Sequence, residues 1–231
     1  TVITFAAFVI LFMAPGNDVR VASEIATWMP GYKELSVGNH LFMTIQWMLS
    51  SFANEGKAFF IAIWAAGFLL LVKSKKAKVY QSLAVVFSVV ALLPYAGISF
   101  FSEMGIGYID IEQCLTELPT WQTMTTQNRI AFFWWIAAVL FTLVLLWKVT
   151  GHSVFISMAF LGGIASEAVL HFSPTIYASG ARVYYLTDLM YLFIILWMVM
   201  RMDSEKKKNL FIAGAAALGI INFLSQYSIM L

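Results

Sequence analysis

Three stretches of this chain are long, apolar and free of charge: Ala58 to Val72, Val79 to Phe101 and Ile130 to Trp147. A helix needs about 20 mostly apolar residues to cross the hydrocarbon core of a bilayer. In lipid, helices are the open-chain way to satisfy every backbone group. Hydrophobic residues make up 61% of the chain and charged ones 11%, whereas a soluble domain carries about 25% charged residues. The expected fold is therefore an all-α polytopic transmembrane bundle, a single domain over 1–231. About seven crossings are expected, plus one interfacial or re-entrant amphipathic helix. Their cores are placed at 1–13, 57–72, 79–101, 130–148, 153–170, 183–200 and 210–230.

Charge gives the orientation. Lys73, Lys75, Lys76 and Lys78 sit between two apolar runs, and Arg201, Lys206, Lys207 and Lys208 between two more. Short basic loops stay in the cytoplasm, so loops 73–78 and 201–209 are assigned inside. The stretch from Ser102 to Asn128 holds Glu103, Asp110, Glu112 and Glu117 and no basic residue. Loops 102–128 and 171–182 are assigned outside, and the parity of crossings closes. The lysines are accounted for by topology, so nucleic acid is not expected as a partner. A bacterial cytoplasmic membrane is the expected location. The chain begins inside an apolar run, without Met, and is read as the C-terminal part of a longer protein.

Residues 37–54 are the ambiguous segment. Leu41, Phe42, Ile45, Trp47 and Phe52 could fill a span, but Asn39, His40, Thr44, Gln46, Ser50, Ser51 and Asn54 make it more polar than the other runs. An amphipathic helix lying in the interface is preferred over a crossing. Elsewhere, Gly151 is expected at positive φ in the tight turn from Lys148 to His152. Gly162, Gly163 and Gly214 are expected at close helix contacts.

Two polar islands interrupt the apolar pattern. In the first, Pro15 and Gly16 make a turn, Asn17 or Asp18 can cap a helix over Val19 to Met29, and Arg20 follows. It serves either as a capped turn at the membrane surface or as an anion site, since a helix N-terminus beside Arg attracts phosphate. The second runs from His171 to Arg182 and includes Ser173, Pro174, Tyr177, Ser179 and Gly180. Glu167, four residues before His171, shares its helix face. It is the one acid expected inside an apolar core, and such a residue is a functional candidate by default. The plain alternative is a structural pair of Glu167 with His171 or Arg182; Asp188 is a second candidate partner for Arg182. Cys114 is the single cysteine, so no internal disulfide and no cysteine-based metal site is expected. No P-loop, dinucleotide fingerprint or His pair at metal spacing is present, and neither a metal nor a cofactor is expected.

The turn Pro15-Gly16-Asn17 with Arg20, together with Ser173-Pro174 through Ser179-Gly180-Ala181-Arg182, resembles a family of bacterial polytopic proteins related to GT-C-type glycosyltransferases. The likeness covers most of the chain in helix pattern and about a dozen residues in motif. It implies transfer of a sugar from a polyprenyl-phosphate donor to a cell-surface glycan or lipid acceptor at the outer face of the membrane. It carries over Asn17, Arg20 and Arg182 as a phosphate-proximal set, with His171, Ser173 and Tyr177 lining the pocket and Glu167 shaping it. In that family the catalytic acid lies in the first outer loop, which precedes Thr1, so no catalytic residue is assigned. The competing reading is a transporter or flippase for a lipid-linked or anionic substrate, with Glu167 as the proton-coupling group.

Overall fold

The computed structural model of the chain describes residues 17–96, 119–151, 153–169, 173–176, 178 and 184–230. The expected core at 1–13 and most of the acidic loop, Cys114 included, lie outside these residues. Among them there is helix and turn and no strand. The helices are α1 (Asn17–Trp28), α2 (Val37–Leu71), α3 (Lys78–Leu92, continued by a 3-10 turn Leu93–Ala96), α4 (Thr126–Val149), α5 (Val154–Ala168), α6 (Tyr185–Met200) and α7 (Glu205–Met230). Four segments are long and apolar enough to cross a membrane: Val37–Leu71, Lys78–Tyr95, Thr126–Val149 and Glu205–Leu224. Helices α5 and α6 are apolar and shorter. Side-chain caps start two of the helices. The Ser36 hydroxyl accepts from the Asn39 amide at 3.2 Å, and the Thr125 hydroxyl accepts from the Asn128 amide at 3.1 Å, each satisfying an otherwise orphan donor.

The ambiguous segment resolves in an unexpected way. Residues 37–54 do not form a helix separate from 57–72; the two join in α2 through a π turn, Phe52–Gly56. Asn54-Glu55-Gly56, which reads as a break, is absorbed by widening one turn, and the backbone stays bonded as a lipid-buried chain requires. The helix bends there. Phe42 stacks on Phe132 with ring centroids 5.8 Å apart, while Phe60 meets Trp135 at 5.6 Å. On a straight helix Phe42 and Phe60 would be about 27 Å apart, yet they reach a single turn of α4. The first half of α2 thus lies across the ends of its neighbours, with Trp47 against Tyr184 just before α6. Its faces are the reverse of those of a surface helix. Thr44, Gln46, Ser50 and Ser51 are buried, and Val37, Leu41 and Ile45 point outward. A helix floating in the headgroup layer would turn its polar residues to water. This one turns them to the protein.

The second half of α2 is the centre of the bundle. Phe60 is fully buried among Phe52, Trp64, Trp135, Phe160 and Tyr191. The Trp64 indole donates to the Thr142 hydroxyl at 2.8 Å, and Thr142 donates in turn to the Ala138 carbonyl at 2.7 Å. Helices α2 and α4 come closest at Gly67, where an added Cβ would stand 2.7 Å from a methyl of Leu145. Gly163 sits against Thr187 and Met190 of α6, as expected of a close contact, but Gly162 and Gly214 face open space and mediate none. Gly151 adopts φ 64°, as the tight turn predicts.

The two lysine clusters meet at one end of the bundle. Asp203 pairs with Lys73 and with Lys207, each at 2.8 Å. Lys207 also donates to the Leu69 carbonyl at 3.0 Å. The loops assigned to the same side of the membrane are therefore in contact.

Candidate functional site

The bend in α2 creates a small polar pocket. Ser51, Glu55 and Gly56 from the π turn and its edge face Glu167 of α5, Thr187, Asp188 and Tyr191 of α6, and Tyr184. The enclosed space is about 10 Å³, near the minimum that holds one water molecule. Glu167 forms the floor and is 1% exposed. Asp188 is half-buried and Glu55 exposed, so two further carboxylates stand at the mouth. The Ser51 hydroxyl is 3.1 Å from Glu167 Oε2 and 2.7 Å from the Met48 carbonyl. Thr187 donates to the Gly163 carbonyl at 2.9 Å and lies 3.0 Å from the Ser166 hydroxyl. The Tyr191 hydroxyl is buried and has no hydrogen-bond partner. Its ring is held by Phe59, Phe60 and Phe160.

Glu167 was legible as a functional candidate because an acid inside an apolar helix is expensive. It is not alone in the bundle: Glu55, which reads as part of a polar break, faces the same space. The missed signal was the spacing of Ser51 and Glu55, four residues apart on one helical face between two apolar runs. Thr187 and Tyr191 repeat that spacing on α6.

The other sequence-predicted residues divide into two sets. Arg20 is on the surface, its side chain 76% exposed, and its Nε donates to Glu24 at 2.8 Å one turn along α1. It is thus paired within its own helix. Ser173 closes a local turn, with its hydroxyl 2.7 Å from that of Thr175 and accepting from the Thr175 amide at 3.2 Å. His171, Tyr177 and Arg182 lie outside the described residues, as does the side chain of Asn17, so the expected Arg20–Arg182 approach and the Glu167 pairing with His171 or Arg182 fall there too. No group of three or more His, Cys, Asp or Glu among the described residues is arranged to hold a metal.

A second feature lies on the opposite side of α2. An apolar groove of about 500 Å³ runs between α2, α3 and α7, from Leu69 and Leu210 to Ile61, Leu92 and Ile221. Just past its far end Lys57 is buried, with its ammonium 4.5 Å from the centre of the Tyr95 ring. Tyr95 donates to the Asn222 side chain. Lys57 stands about 21 Å along the axis from Leu71, toward the end remote from the lysine loops.

Comparison with known proteins finds no matching family, no matching curated protein and no matching solved structure.

Proposed function

We propose that this chain belongs to a multi-pass membrane glycosyltransferase that moves a sugar from a polyprenyl-phosphate donor to a cell-surface glycan or lipid at the outer face of the cytoplasmic membrane. The observation that carries the reading is the groove with a cation at its end. A polyprenyl chain needs an apolar channel between helices, and its phosphate needs a cation where the channel stops. Lys57, Tyr95 and Asn222 supply an ammonium, a phenol and an amide at that point. A charged donor in a water-poor site stabilises a departing phosphate far better than one in water. The lysine loops at the opposite end are consistent with an outward-facing head. Glycosyl transfer itself comes from the resemblance at Asn17, Arg20 and Arg182, and Arg182 is the remaining candidate for planar, bidentate phosphate binding.

The transporter reading has one observation of its own, the buried Glu167 with Asp188 and Glu55 at the mouth of its pocket. Surface glycan in cells, measured at matched membrane levels of protein, separates the proposals. Lys57→Met and Arg182→Ala are each expected to reduce transfer roughly tenfold to a hundredfold, the worth of a charged hydrogen bond. Arg182→Lys recovers part, because it keeps the charge and loses the fork. Normal glycan in both Lys57→Met and Arg182→Ala cells sinks the glycosyltransferase reading.

A further inference from the structure

We infer that the space between Ser51, Glu167, Thr187 and Tyr191 binds one small monovalent cation, either a sodium ion or a protonated water, which enters past Glu55 and Asp188. The argument is a count of protons. Ser51 has one hydroxyl proton and stands nearer the Met48 carbonyl, at 2.7 Å, than Glu167, at 3.1 Å. Thr187 has one, directed at the Gly163 carbonyl, which Ser166 also serves at 2.6 Å. With both protons committed to helix carbonyls, the two hydroxyls turn lone pairs toward Glu167. An ionised Glu167 would then face only oxygen lone pairs, which repel it. A proton or a cation among these oxygens removes the conflict.

Tyr191 is the independent observation. Its hydroxyl borders the pocket, it is 1% exposed, and it has no partner. Leaving a buried hydroxyl unsatisfied is costly, so an occupant bonded to Tyr191 accounts for a tyrosine where phenylalanine would pack equally well among Phe59, Phe60 and Phe160. The volume admits one water-sized species. All the polar lining groups are oxygen donors, the set that suits hard cations. The titratable groups facing the pocket are Glu55 on α2, Asp188 and Tyr191 on α6, and Tyr184, and no lining residue is basic. Lys57 lies two residues beyond Glu55 but sits over Tyr95. The absence of a three-carboxylate cluster of metal geometry argues against a divalent ion.

The inference does not depend on sugar transfer, and its test needs no donor. Thermal unfolding of the purified protein in lipid nanodiscs is followed while choline chloride is exchanged for sodium chloride at constant ionic strength, on either side of neutral pH. A sodium site gives a saturable rise in midpoint on the alkaline side that weakens as protons compete. A proton site gives a midpoint that follows pH and ignores sodium. Either response is expected to vanish in Glu167→Gln. In Tyr191→Phe the half-saturating concentration should rise roughly tenfold, or the pH midpoint move by about one unit, the effect of one hydrogen bond to a charged group. Identical responses in wild type and Glu167→Gln overturn the site. If Glu167→Gln does not fold, Tyr191→Phe carries the test, because its ring packing is intact, and an unchanged midpoint there overturns the site as well.

Discussion

The Ser51 hydroxyl reaches the Glu167 carboxylate across the bundle, Oγ to Oε2 3.1 Å, and so fastens the bend of α2 to the last turn of α5. Removing one side of a buried polar pair leaves the other unsatisfied, at a cost of about 1–3 kcal/mol. Ser51→Ala is therefore expected to destabilise the protein by that amount. Glu167→Gln is expected to cost less, because a side-chain amide can donate to the lone pair that Ser51 presents. Chemical unfolding in mixed micelles measures both; a larger loss for Glu167→Gln than for Ser51→Ala would contradict the assignment of donors.

Glycine positions give a contrast between two helices. A methyl group at Gly67 meets the fully buried Leu145 side chain at 2.7 Å, which has no room to retreat. Gly67→Ala should cost about 1–3 kcal/mol, as overpacking does, and Leu145→Ala in the same chain should return part of it. Gly214→Ala meets nothing and is expected to be neutral or slightly stabilising through helix propensity. Equal loss at both positions in an unfolding series would refute the close approach of α2 and α4.

At the lysine end, hydrogen bonds from Lys207 and then Lys73 hold the Asp203 carboxyl well below the usual aspartate range. A depressed folded-state value means that the stabilisation is complete above the ordinary titration of aspartate, near pH about 3.9. It is lost as pH falls toward the folded-state value. Asp203→Asn should lower the midpoint of thermal unfolding at neutral pH, and the gap to wild type should close on acidification and in high salt. Because Asp203 is 48% exposed, the gap is expected to be small. A gap that widens on acidification would show that the pairing is not what matters there.

The spans of α2, α3, α4 and α7 were visible in the sequence because long uncharged runs have few alternatives in lipid. The lysine loops were also informative, since the charge pattern assigns them to one side and Asp203 joins them. The union of 37–54 with 57–72 was hidden. Asn54-Glu55-Gly56 has the composition of a turn, and only the packing of Phe42 and Phe60 on one turn of α4 shows a bent, continuous helix. The same bend explains why the pocket was only half legible. Glu167 is conspicuous within its own helix, whereas Ser51 and Glu55 acquire meaning only when the π turn brings them to α5 and α6. Gly214 misled for a related reason: small residues beside alanines suit tight packing, and here they line an open groove.

Leu145 fits against Gly67 with no slack, so α2 and α4 cannot slide past each other or part without losing contact along their length. Helices α3 and α7 have no such lock with α2, and the groove lies between them. Any breathing of this molecule in the plane of the membrane is therefore lopsided: α2 and α4 act as a fixed post, and the wall formed by α3 and α7 swings against it.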